Sequence, residues 1–171
     1  MNILIISSSL SKKSQSRKMA EYILNRLNSE EIDIEMLDLR DYNLPFCNGD
    51  EDSDISIVMD LKSMIREAQG ILIATPIYNY NVNAAIKNLI ELTGRGWSDK
   101  VVGFICSAGG KSSYMSVMSL ANSLMLDFRC IVIPRFVYTD DDSRQLDDSI
   151  KKRLDQLSSE LIRFVKGLKL E

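Results

Sequence analysis

Five short apolar runs, separated by stretches of helical periodicity, constrain this chain more than any other feature. Asn2–Ser7, Gly70–Thr75 and Val101–Ser107 are almost unbroken apolar segments of strand length. A strand that is apolar on both faces has to be covered on both faces. Ile32, Ile34, Met36 and Leu37 mark a further strand, and Cys130–Pro134 the last. Between them Ala20, Ile23, Leu24 and Leu27 recur at helical spacing, then Ile57, Val58, Leu61, Met64 and Ile65, then Val82, Ala85, Ile86, Leu89 and Ile90. Residues 112–127 and the series Ile150, Leu154, Leu157, Leu161 and Val165 complete five helices. Ser14 and Asn81 stand where the first and third helices need a cap. The polar stretch 39–54, with Pro45 and Gly49, reads as a loop. The alternation predicts an α/β fold of three layers, a doubly wound five-stranded parallel sheet with right-handed crossovers. The Rossmann and flavodoxin strand orders both satisfy the pattern, and in either a ligand sits at the carboxyl ends of the strands where the order reverses. A chain of 171 residues fits one domain over 1–171.

Composition narrows the chemistry. There is no histidine, so one chain holds no Ser-His-Asp triad, Cys-His pair or His-ligated metal. Lys and Arg number 21 against 24 Asp and Glu, a net charge of −3, which argues against a nucleic-acid partner. No apolar run approaches the roughly 20 residues of a membrane span. The opening Met1–Ile6 reads as a strand rather than a signal peptide. The three cysteines, Cys47, Cys106 and Cys130, include no close pair and fit a reducing, cytoplasmic setting. Cys106 and Cys130 read as core thiols and Cys47 as a loop thiol. The run Asp140-Asp141-Asp142 reads as a solvated turn; no metal site is expected there.

Three loops follow three strands. After the first come Ser7, Ser8, Ser9, Ser11, Lys12, Lys13, Ser14, Gln15, Ser16 and Arg17. Without a glycine before Gly49 this is neither a dinucleotide fingerprint nor a Walker A loop. Hydroxyls at a helix N-terminus bind phosphate all the same, because the helix dipole and the unpaired N–H groups favour an anion; the other reading is a Ser-rich capped turn. After the third strand, Pro76-Ile77-Tyr78-Asn79-Tyr80-Asn81 offers planar apolar surface with amide donors and acceptors. It suits a flat heteroaromatic ring, or is a cap with surface tyrosines. After the fourth, Ser107-Ala108-Gly109-Gly110 permits close backbone approach. Phosphate, ring and close approach on one rim describe a mononucleotide with an aromatic head, for which flavin mononucleotide (FMN) is the candidate.

These residues resemble the NAD(P)H-dependent FMN reductase family, from about Met1 to Tyr138. The family's opening motif, G-S-x-R-x-x-S-x-N-R-x-L-A after a strand, aligns without gaps on Ser8–Ala20. Its second, P-E-Y-N-x-S-x-P-G-x-L-K-N, matches at Pro76, Tyr78, Asn79, Lys87 and Asn88, and its S-x-G-G matches at Ser107, Gly109 and Gly110. The resemblance implies a flavodoxin-like order, 2-1-3-4-5. It places the phosphate at Ser9, Ser11, Ser14, Gln15 and Ser16, and the ribityl chain and ring edge at Pro76, Ile77, Tyr78 and Asn79. Ser107, Gly109 and Gly110 would approach the ring. The chain departs from the family at Ser8 for Gly, Ser11 for Arg, Ser16 for Asn, Ile77 for Glu, Asn81 for Ser and Asn83-Ala84 for Pro-Gly. Lys12 and Lys13 are the cations left to replace that arginine.

The implied activity is an FMN-dependent oxidoreductase. Hydride would pass from NADPH or NADH to flavin N5, and on to a small-molecule acceptor such as a flavin, quinone or azo compound. The reactive atom belongs to the cofactor, so no catalytic side chain is required. The alternative is a flavodoxin-type electron carrier without a nicotinamide site. In the 112–127 helix, Val117, Leu120, Ala121 and Leu124 form one apolar face. Met115, Met118, Met125 and Leu126 form a second, which predicts a homodimer or homotetramer.

Overall fold

The computed structural model describes residues 1–28, 32–49, 56–140 and 146–168. In chain order the elements are β1 (Asn2–Ser7), α1 (Gln15–Leu27), β2 (Asp33–Asp38), α2 (Ser56–Glu67), β3 (Gly70–Tyr78), β4 (Asn81–Val82), α3 (Ala84–Thr93), β5 (Val101–Ala108), α4 (Met118–Phe128), β6 (Ile131–Val132), β7 (Val137–Asp140) and α5 (Asp148–Gly167). Short 3₁₀ segments cover Leu39–Asp41, Gly94–Trp97 and Lys111–Val117.

The sheet runs β2-β1-β3-β5-β6, with β7 also parallel to β5 and β4 antiparallel to β3. This is the flavodoxin-like 2-1-3-4-5 order, with its fifth strand in two pieces. Side chains alternate across the sheet as the pleat requires. Leu4, Ile6, Ile71, Ile73, Val102 and Phe104 pack with Leu61, Ile65, Ile86, Leu89, Leu120 and Leu124 of α2, α3 and α4. Ile3, Ile5, Leu72, Ala74 and Ile105 pack with Met19, Ile23, Leu154, Leu157 and Leu161 of α1 and α5.

Four local expectations change. The last strand was expected over Cys130–Pro134. Instead β6 pairs with Val101–Val102, and β7 pairs with Ile105–Ala108. Pro134 has no N–H for the ladder, and it falls in the gap between them. β3 runs on to Tyr78. Beside Pro76 it has β5 but no longer β1, whose register ends at Ser7↔Ala74, and a proline is tolerated where one side of the strand is open.

The chain then turns through Asn79 and Tyr80, with φ of 50° and 60°, and returns as β4. Two central residues at positive φ are what a tight type I′ hairpin demands. Asn81 therefore lies in a strand and does not cap α3; the cap position is Asn83. The 112–127 segment begins as the 3₁₀ turns Lys111–Val117 before α4 starts. Its two faces are as expected, with Val117, Leu120, Ala121 and Leu124 buried while Met115, Met118, Met125 and Leu126 reach solvent. Ser14 does cap α1, its Oγ accepting the Arg17 amide at 3.1 Å. Asp141 and Asp142 lie outside the described residues, as do residues 50–54 of the expected loop. Among the described residues no helix is long and apolar enough to cross a membrane, and no cluster of His, Cys, Asp and Glu could hold a metal.

Candidate functional site

From β1 the chain first builds outward to β2, then crosses to β3 on the other side, so the strand order reverses between β1 and β3. At that point the carboxyl ends of β1, β3 and β5 enclose a cleft of about 330 Å³, near the lower end of ligand-pocket sizes, roughly 300–1,000 Å³. The first loop contributes Ser9, Ser11, Lys13, Ser14 and Gln15; the end of β3 contributes Pro76, Ile77 and Tyr78; the end of β5 contributes Ser107, Ala108 and Gly109. Three loops remote in sequence are brought together.

Of the residues singled out in the sequence, Ser16, Asn79 and Gly110 do not line this cleft. Ser16 is buried beneath it with its Oγ 3.1 Å from Ser14 Oγ. Asn79 sits at the exposed hairpin tip. Gly110 points its carbonyl to the Tyr138 hydroxyl. Of the nearby cations, Lys13 lines the cleft, whereas Arg17 is drawn to Glu21 at 3.0 Å and to Asp38 at 3.2 Å. Asp38 also meets Arg40 Nη2 at 2.7 Å. Burial pushes the Asp38 carboxyl above the usual range, opposed by the Arg17 charge.

The donor set suits an anion. Ser9 Oγ accepts the Ser11 amide at 3.4 Å and Ser11 Oγ accepts the Lys13 amide at 3.2 Å, which folds the loop tightly ahead of α1. The first-turn amides of a helix have no partner within it, and α1 opens directly beside these hydroxyls. The hydroxyl of Ser7, fully buried at the root of the loop, has no partner among the described residues. At the other end, Tyr78 offers a ring that is 55% exposed. A Cβ at Gly109 or Gly110 would meet nothing within 4 Å, so this backbone is open to a ligand.

Two residues that hold the rim were not singled out as site residues. Tyr138, on β7, donates its hydroxyl to the Gly110 carbonyl and lies 2.8 Å from Ser113 Oγ. Its ring packs edge-on to Tyr114 at 5.5 Å. Asn83 is 6% exposed and binds the first and second loops together. The signal for Asn83 was present, since it and Ser8 both depart from the family motifs. Tyr138 lies beyond all three motifs and gave none.

A larger cleft, about 810 Å³, lies between α3 and α4. Lys87, Glu91, Arg95, Asp99, Asp127 and Arg129 line it with both signs of charge.

Strand order and rim together define a flavodoxin-like α/β protein with an open cleft where the strand order reverses. A model of the NADPH-dependent FMN reductase family matches residues 1–144. An NAD(P)H-dependent FAD/FMN reductase from Geobacillus thermodenitrificans is 31% identical over 149 residues, 81% of this chain and 79% of that one. An NADPH azoreductase from a Bacillus species is 26% identical over 142 residues, 82% of this chain and 77% of the other. The solved apo structure of an NADH:FMN oxidoreductase matches the fold with a TM-score of 0.80 at 18% identity, over 99% of this chain and 91% of that one. The chain belongs to the NADPH-dependent FMN reductase family, and so to the flavin-dependent oxidoreductases.

Proposed function

We propose that this chain binds FMN in the β1/β3/β5 cleft and uses NADPH or NADH to reduce a small-molecule acceptor. The observation that carries the reading is the meeting of the serine loop at the α1 N-terminus with the Pro76–Tyr78 edge and the open Gly109 backbone in one cleft. Ser9, Ser11, Ser14 and Gln15 would hold the phosphate through hydroxyls and first-turn amides. Ser16 acts from beneath, orienting Ser14. Lys13 supplies the point charge that the family's arginine supplies elsewhere. Pro76, Ile77 and Tyr78 would border the ribityl chain and ring, and Asn79 shapes the hairpin that presents them. Ser107 and Gly109 would close on the ring from the end of β5, with Gly110 beside them tethered by Tyr138. When bound, FMN supplies the hydride-accepting chemistry; the protein positions the ring and leaves one face open for nicotinamide and acceptor in turn.

Relatives named as quinone reductases support a quinone-type acceptor. One, an NADPH:quinone oxidoreductase of Arabidopsis thaliana, is 29% identical over 78% of this chain. The azoreductase relative supports an azo acceptor on the same open face. The reading treats 1–171 as one FMN-binding domain, cytoplasmic by its three free thiols. It is a homodimer or homotetramer through the exposed Met115, Met118, Met125 and Leu126.

The test is the visible spectrum of the protein with FMN, followed by NADPH and NADH added separately without oxygen. Bleaching of the oxidised-flavin band by either nucleotide is expected. Binding of FMN without bleaching would make the chain an electron carrier, and no binding would overturn the reading of the cleft.

A further inference from the structure

The polar contacts of Asn83 are unusual for a residue at a helix start. Its carboxamide makes no cap bond to α3. Instead Nδ2 donates to the Ser8 carbonyl at 2.6 Å, and Oδ1 lies 2.8 Å from Ser8 Oγ and 3.2 Å from Thr75 Oγ1. Ser8 Oγ has one proton to give. The shorter contact is to Asn83, with the Ala74 carbonyl at 3.2 Å as the second acceptor. Ser8, Thr75 and Asn83 are all buried, where polar groups that lose a partner are costly and satisfied networks are rigid.

The position of these contacts gives them consequence. Ser8 is the residue before Ser9, the first residue of the anion loop to reach the cleft. Thr75 is the residue before Pro76, where the ring-binding edge begins. One carboxamide thus fixes the roots of both loops relative to each other. Ser8 and Asn83 are also both departures from the family motifs, Ser for Gly and Asn for Pro, and they touch. The Asn83 backbone has φ of −66°, within the range of proline, so the asparagine is not there to satisfy the backbone. Ser8 is not among the residues at positive φ, so nothing in the backbone demands glycine there either.

We infer that Ser8 and Asn83 are a matched pair of positioning residues, a polar lock that sets the spacing between the phosphate loop and the ring loop. This inference rests on the FMN reading of the cleft for its functional consequence, but the lock itself is a property of the ligand-free chain.

The test is a double-mutant cycle of Ser8→Gly, Asn83→Pro and the two together; Ser8→Ala, which like Ser8→Gly removes the hydroxyl and keeps the backbone carbonyl contact, is expected to match Ser8→Gly and so separates the lost hydroxyl from the added freedom of glycine. The first readout is ligand-free hydrogen exchange. Each of Ser8→Gly and Asn83→Pro is expected to raise exchange in residues 8–16 and 76–82 together while leaving β5 and α5 protected. The double variant is expected to fall back toward the parent. The second readout is FMN affinity from flavin fluorescence quenching. Each of these two single variants is expected to weaken binding about tenfold and the double variant far less than the product, the mark of coupled residues.

Faster exchange throughout the chain, or in one loop only, overturns the lock, as does a double variant whose losses multiply. Parent protein that fails to quench FMN overturns the cleft reading instead, and the exchange cycle still decides the lock.

Discussion

The side chain of Asn88 bridges two backbone groups of the loop that carries Cys47. Its Oδ1 accepts the Cys47 amide at 2.9 Å and its Nδ2 donates to the Pro45 carbonyl at 2.9 Å. The loop pairs with an amide on α3 much as it would with a neighbouring strand. Asn88→Ala removes both contacts and leaves two half-buried backbone groups to find water. A loss of about 1–2 kcal/mol in stability is expected. Labelling of Cys47 by a thiol reagent should speed up several-fold as the loop loosens. An unchanged labelling rate would show that Tyr42 and Leu44, packed on the core beside it, hold the loop alone.

Tyr80 carries backbone strain at the edge of the site. Its φ of 60° costs an L-residue about 1–2 kcal/mol, and its hydroxyl lies 3.2 Å from Ser112 Oγ across the rim. Tyr80→Gly relieves the strain, gives back about 0.5–1 kcal/mol in unfolded-chain entropy and loses one exposed hydrogen bond. The balance predicts a glycine variant at least as stable as the parent. Tyr80→Ala, which keeps the strain and loses the bond, should be less stable. Thermal melts of the pair decide this, and a glycine variant that melts well below the alanine one would refute it.

Tyr138 holds the third loop from outside the motifs. Tyr138→Phe removes the hydroxyl that the Gly110 carbonyl and Ser113 share, while the ring keeps its contact with Tyr114. A loss of about 1 kcal/mol in FMN affinity, roughly fivefold, is expected, with little change in melting temperature. Flavin quenching titrations measure the first and calorimetry the second. Unchanged affinity would mean that Gly109 and Gly110 stay in place without this tether.

What the sequence conveyed follows from how much each signal depends on distant partners. β1, β3 and β5 are apolar on both faces, and such runs have few alternatives to a buried parallel strand. The burial of Leu120 and Leu124 was legible for the same reason, since helical spacing alone selects the face. The hairpin at Asn79-Tyr80 was not, because an aromatic residue at positive φ contradicts local preference and only the pairing of Tyr78 with Asn81 reveals it. Nor was the contact of Asn83 with Ser8, 75 positions away: the motifs mark both as departures, but only the fold sets them side by side. The break in the fifth strand was half legible. Pro134 marked an end, but the resumption at Val137 depends on β5 extending to Ala108.

The two buried thiols make stability fall at high pH. Burial pushes the Cys106 thiol up to about 12 and that of Cys130 up to about 11, whereas in the unfolded chain each titrates near 9.0. Above that pH the unfolded chain gives up protons that the native protein keeps, so the unfolded state gains. The contribution is fully present below pH of about 9 and is lost as pH climbs toward the native values, by at most about 1.4 kcal/mol per pH unit for each thiol. Lys100 works in the opposite sense, because burial lowers its native affinity for a proton, so the net slope of the parent mixes signs. Comparing the parent with Cys106→Ala isolates the thiol. The variant should be less stable at pH 8, where the lost side chain leaves a small cavity, yet lose stability more slowly between about pH 9 and 11. Urea midpoints across that range measure it; parallel slopes would show that the buried thiol does not titrate on unfolding as its burial requires.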